Sequence, residues 1–162
     1  MHEEDILLRS IRGIAYLAIA PCIFLSAAVW FTSDSIGIVI ANLFQVYFSI
    51  FLLFLFGNIW SFKFYFKDGY ESQLIKIAIT PLFLTLISAI LTIYINPAWG
   101  IGFLMFGVYL TRLVIFNHSI FKEFSKIYID LFNRISIILC ICLMLIFTYW
   151  LNPYTNPIAT YI

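Results

Sequence analysis

Six neutral polar side chains stand at helical spacing inside two otherwise apolar stretches. Asn42, Gln45 and Ser49 occupy positions i, i+3 and i+7 of one stretch, and Thr85, Ser88 and Thr92 repeat that spacing in the next. Residues spaced this way share one face of a helix. Amides and hydroxyls bring neither charge nor a strong nucleophile, so their chemistry is hydrogen bonding. Two uses follow: contacts that hold two helices together, or a neutral polar lining for a small-solute cavity. Helix packing is the favoured reading, at about 1 kcal/mol or less per contact inside lipid. If the two stretches run antiparallel, Asn42 lies near the depth of Thr92, Gln45 near Ser88 and Ser49 near Thr85. The two stripes are therefore expected to face each other.

A second candidate is Arg112, set deep in an apolar run, roughly 20 Å of helical rise from its start. Either its long stem carries the guanidinium back to the headgroups, or the side chain turns inward. Inward partners would be helix-end carbonyls near Gly57 and Asn58, or a carboxylate such as Asp130. A third candidate is the segment holding Gly57, Asn58 and Trp60. A missing side chain at Gly57 would admit a neighbouring helix, Asn58 would hydrogen-bond, and Trp60 would anchor at an interface.

Other chemistries find no residues to carry them. Cys22, Cys140 and Cys142 all lie in apolar runs and form no C-x-x-C pair, so they read as small space-filling side chains. His2 and His118 are the only histidines, and both are expected on the cytoplasmic side, where they cannot form a membrane-embedded haem pair. No catalytic residue, metal site or cofactor is assigned. No expected span contains Asp or Glu, which disfavours a carboxylate proton relay.

The elements that must position these residues are apolar helices. The chain of 162 residues is 64% hydrophobic and 10% charged, with a mean hydropathy of +1.04. So few polar groups could not cover a soluble domain of that composition. The net charge of +1 gives no surface for nucleic acid. Five spans are expected, at about 13–31, 36–62, 74–95, 98–116 and 135–151, each near the roughly 20 residues a helix needs to cross. Continuous rather than alternating apolar runs favour helices over strands. Thr32 to Ser35 makes the first turn, with Asp34 or Ser35 capping the second helix. Asn96-Pro97 makes the third turn, with Pro97 opening the fourth helix.

Charge orients the set. All nine Lys and Arg fall in three blocks: Arg9 and Arg12 at the head; Lys63, Lys67 and Lys76 from the second connection into the start of span three; and Arg112, Lys122, Lys126 and Arg134 around the connection after span four. The other two connections and the tail have none, so the N-terminus is expected in the cytoplasm and the C-terminus outside, in a bacterial inner membrane. Trp30, Tyr94, Trp99, Tyr149 and Trp150 fall at outer ends and Trp60 at an inner one, as an interfacial belt would. Arg9 and Arg12 before an apolar run could open a secretory signal. Pro21 before Cys22 disfavours lipoprotein processing, and the run continues to Phe31, so a retained span is expected. Glu3, Glu4 and Asp5 disfavour a mitochondrial presequence.

Between spans four and five, Ile120, Phe121, Phe124, Ile127, Tyr128, Leu131 and Phe132 recur with helical period. An amphipathic cytoplasmic helix is expected at about 117–133, resting on the inner membrane face, with partner docking as the alternative.

The run Phe54-Leu55-Phe56-Gly57-Asn58-Ile59-Trp60 resembles the Phe-Leu-Gly-Gly-x-x-Trp signature of a bacterial and mitochondrial family that includes transmembrane protein 69. Pro21 in the first span, Thr80-Pro81-Leu82 in the third, and Tyr128 to Arg134 before the last are similar to that family in order and spacing. The chain departs from the pattern at Phe56, Ser61 and Asn117. The resemblance implies a small five-helix membrane protein and no catalytic residues.

The sequence thus predicts one all-α domain: a polytopic membrane bundle of five transmembrane helices plus one amphipathic cytoplasmic helix. Its expected role is non-enzymatic, as an accessory subunit or an assembly or scaffolding factor acting through helix–helix contacts. The alternative is a small-solute carrier or channel with a neutral polar lining between spans two and three. Expected partners are membrane lipids and a membrane-protein partner or a second copy, with no nucleic acid.

Overall fold

A computed structural model describes residues 2–57, 71–117, 126–154 and 157. They form five helices in chain order: α1 (His2–Ala28), α2 (Asp34–Gly57), α3 (Glu71–Tyr94), α4 (Pro97–Asn117) and α5 (Lys126–Trp150). Four segments are long and apolar enough to cross a membrane: Asp34–Gly57, Leu74–Tyr94, Pro97–Val114 and Lys126–Trp150. The apolar part of α1, Arg12–Ala28, is shorter. Residues 118–125 of the expected amphipathic helix lie outside the described residues. Residues 126–133 are the first two turns of α5, continuous with the apolar run that follows.

Local chemistry sets the helix ends. The Asn96 side-chain oxygen accepts the Trp99 backbone N–H at 3.1 Å, with Pro97 in the first helical position. This is an N-cap followed by the residue whose missing N–H costs nothing there. At the start of α2 the capping position is Ser33 rather than Asp34 or Ser35. The Ser33 carbonyl accepts the Gly37 N–H at 2.7 Å. Asp34 falls within the first turn, where its charge complements the helix dipole. Pro21 and Pro81 lie inside α1 and α3. A proline inside a helix leaves the carbonyl four residues earlier without its helical donor. In the turn before Pro21, the Ala18 carbonyl accepts the Tyr47 hydroxyl of α2 at 2.8 Å.

The helices form a closed ring, each packed on its sequence neighbours, with α1 and α5 completing the circle. The interior is filled by apolar side chains, among them Ile19, Phe44, Phe48, Leu52, Leu104, Leu139 and Leu143. Phe44 stacks on Phe48, and Phe56 meets Phe132 edge-on. Cys22 and Cys142 are buried in this core, and Cys140 is half-buried. The outward faces are apolar on every side, with Leu17, Val39, Phe54, Ile93, Phe106 and Met144 all exposed. So continuous an apolar exterior suits lipid rather than water.

The expected aromatic belt divides in two. Trp30, Tyr94 and Trp99 are exposed, whereas Tyr149 and Trp150 are 3% and 1% exposed. The Trp30 ring meets Tyr149 edge-on at 6.0 Å, and the Tyr149 hydroxyl lies where a side chain at Gly37 would be. Tyr149 and Trp150 plug the end of the ring instead of anchoring it in headgroups, because α5 turns that face toward its neighbours.

Candidate functional site

The two polar stripes meet. Gln45 Nε2 donates to Ser88 Oγ at 3.0 Å and to Thr92 Oγ1 at 2.7 Å. Ser88 Oγ donates in turn to the Gly100 carbonyl of α4 at 2.9 Å, and Thr92 Oγ1 to the Ser88 carbonyl at 2.9 Å. The direction of this relay is forced. Carbonyls only accept, so each hydroxyl spends its single proton on the backbone and must accept from the amide nitrogen. Both Gln45 amide protons are thus used, and α2, α3 and α4 are latched at one level.

The sixfold pairing expected from depth is only partly realised. Gln45 reaches Ser88, as the antiparallel register places it, but also takes Thr92, which that register assigns to Asn42. Thr85 instead back-bonds to the Leu82 carbonyl at 3.1 Å within its own helix. Asn42 and Ser49 are half-buried, and their side chains bond no other described residue. The Gln45 side-chain oxygen likewise accepts no hydrogen bond among the described residues.

Gly100 explains the preference and was not singled out by its sequence context. A Cβ there would collide with the Thr92 hydroxyl and stand 2.7 Å from the Ser88 carbonyl oxygen. The backbone of α4 therefore presses directly onto α3 and holds both hydroxyls in place. Seven residues on, Gly107 admits Leu84 in the same way. The spacing of these two glycines on one face was the available signal.

At Gly57 a Cβ would meet nothing within 4 Å. No described helix makes a close approach there; among the described glycines the close approaches are at Gly37, Gly100, Gly102 and Gly107. Asn58 and Trp60 lie outside the described residues.

Asn42, Gln45, Ser49, Thr85 and Thr92 line one recess of about 440 Å³ between α2 and α3. Its rim is apolar, formed by Val46, Ile50, Leu82, Leu86 and Ile93, all exposed on the outside of the ring. The recess opens sideways rather than through the bundle, whose interior is packed with Phe44, Phe48 and Leu52.

Arg112 turns toward α5. Its Nη2 donates to Asn133 Oδ1 at 2.6 Å, a bond between α4 and α5 at the end where the basic residues gather. Asn133 was a polar-face residue of the amphipathic pattern, and nothing in its spacing marked it as the acceptor. Among the described residues, no group of three or more His, Cys, Asp or Glu side chains is placed to hold a metal.

In comparisons with protein-family models, curated proteins and solved structures, nothing matches this chain.

Proposed function

We propose that this chain is a five-span integral membrane protein that works without catalysis, as an accessory or scaffolding subunit, and that the α2–α3 recess docks a transmembrane helix of another membrane protein. One observation carries the reading. Among the described residues, the Asn42 and Ser49 side chains and the Gln45 side-chain oxygen are unmatched hydrogen-bonding groups in an apolar-rimmed recess on the outside of the ring. Lipid tails cannot satisfy such groups, whereas a polar side chain on an entering helix can. The recess is lateral, as a helix approaching in the membrane plane requires.

The clustering of basic residues supports an N-terminus in the cytoplasm and a C-terminus outside, in a bacterial inner membrane. The order of Pro21, the Gly57–Trp60 run and Pro81 supports kinship with the family that includes transmembrane protein 69.

A photoreactive side chain at Val46 or Leu86, on the rim, tests the docking. In native membranes it should give a discrete protein adduct, lost when Asn42→Leu and Ser49→Ala are combined. The same probe at Phe106 on α4 should give none. Equal labelling at all three positions would sink the proposal. An adduct of twice the chain's mass would identify the entering helix as a second copy.

The rival reading, a neutral-solute carrier, draws on the same lining. The packed interior weighs against it, since a carrier needs a path and not only a binding recess. Solute uptake into liposomes that disappears in Gln45→Leu would reverse the order.

A further inference from the structure

On the seam between α1 and α5, separate from the recess, the two helices line a pocket of about 200 Å³. Each helix contributes residues one turn apart. Arg12 and Tyr16 come from α1, Asp130 and Arg134 from α5, and Ile127 and Leu131 form an apolar wall. Spacing of four puts each polar pair on one helix face. The three charged groups surround the same space, yet among the described residues none of them forms an ion pair or a hydrogen bond. Arg12, Asp130 and Arg134 are all exposed, and an exposed pair at the Asp130–Arg134 spacing is only weakly stabilising, so a ligand can displace it at little cost. The three charges line one pocket and are open to a ligand that enters it.

We infer that this pocket binds the headgroup of an ethanolamine phospholipid. Two guanidinium groups and a phenol suit a phosphodiester, which guanidinium recognises by paired, charge-assisted hydrogen bonds. Asp130 decides among lipids. Beside a bare phosphate its carboxylate would repel the ligand, whereas a primary ammonium two carbons from the phosphate would pair with it. A quaternary ammonium lacks the protons for that bond. Size does not exclude it, because the pocket offers about 200 Å³ and the headgroup has only about eight non-hydrogen atoms. The wall of Ile127 and Leu131 then meets the start of the acyl region. Arg12 opens the apolar stretch of α1, and Arg134 stands in the first turns of α5, which is headgroup depth if both helices span. The inference rests on the membrane-spanning reading in that one respect. A thiol-reactive probe on Ser10→Cys in closed vesicles reports that depth independently of lipid binding.

Native mass spectrometry of the full-length chain, titrated with ethanolamine, glycerol and choline phospholipids of identical acyl chains, tests the site. The ethanolamine lipid should bind about tenfold more tightly than the choline lipid. Arg12→Gln combined with Arg134→Gln should weaken it by about tenfold, with unchanged intrinsic fluorescence showing that the fold is intact. Asp130→Asn should remove the preference and raise binding of the glycerol lipid, a reversal that a merely structural role would not produce. Equal binding of all three lipids to the unaltered chain, or indifference to the arginine changes, overturns the assignment. Soluble O-phosphorylethanolamine is the last probe. Binding at least about tenfold weaker than the lipid supports a membrane source, and equal binding overturns it.

Discussion

At the scale of single residues, Gln45 is the keystone of the polar relay, and its neighbours determine what replacing it costs. Gln45→Leu removes two bonds but leaves Ser88 and Thr92 donating to carbonyls. Interhelical bonds inside bilayers average about 0.6 kcal/mol, so the expected loss is about 1 kcal/mol. Gln45→Glu replaces two donors with an anion facing two hydroxyl oxygens whose protons are already committed. Its expected cost is larger, about 2.5–3.5 kcal/mol as for a carboxylate within a span. Unfolding in mixed micelles checks the order, and a Glu variant as stable as the Leu variant would show the relay running the other way. Asn133→Leu, which takes the acceptor at 2.6 Å from Arg112, should cost about 1.5–3 kcal/mol as a hydrogen bond to a charged group. The same unfolding measurement reads it, and a neutral outcome would mean that this bond is not what holds Arg112.

At the scale of elements, α4 is positioned by what it lacks. Gly100→Ala drives a methyl into the Ser88 carbonyl and the Thr92 side chain, so α3 and α4 must move apart. Gly107→Ala meets the Leu84 side chain rather than backbone, chiefly one terminal methyl that can rotate away. The first should cost about 1–3 kcal/mol and the second distinctly less. Thermal unfolding in detergent separates them, and equal shifts would show that backbone contact at Gly100 is not what sets the helix separation. The cap of α4 is a third local device. Asn96→Ala should cost about 1 kcal/mol by freeing the Trp99 N–H. That cap was legible in the sequence because capping depends on adjacent residues alone. The approach at Gly100 was not, since a glycine becomes a contact only when a particular neighbour arrives.

At the scale of the whole molecule, the ring closes around a filled interior, so its exchange with the surroundings is confined to its outer seams. One seam holds the neutral recess, another the charged pocket. The orientation proposed above needs the chain to cross the bilayer an odd number of times. Cysteines introduced at Ser10 and Tyr154, both exposed, should react with an impermeant maleimide from opposite sides of a sealed vesicle. The native Cys22 and Cys142 are buried and should stay silent. Reaction of both introduced thiols from one side would mean an even count, and the orientation proposed above would fall with it.

The order of the helices, the turn at Asn96-Pro97, the face shared by Gln45 and Asn42, and the face shared by Ser88 and Thr92 are all written in the chain itself. Apolar run length and the period of 3.6 are local properties, and neither waits on a partner. The tertiary structure alone decided who meets whom. It gave Thr92 to Gln45 and left Asn42 facing the recess, because α4 presses both hydroxyls into reach of the longer amide. Tyr149 and Trp150 became a plug, Asn133 became the partner of Arg112, and Arg12 came to share a void with Asp130 and Arg134. Each of these depends on the rotation and spacing of two helices far apart in sequence, and no pattern within a single helix encodes that.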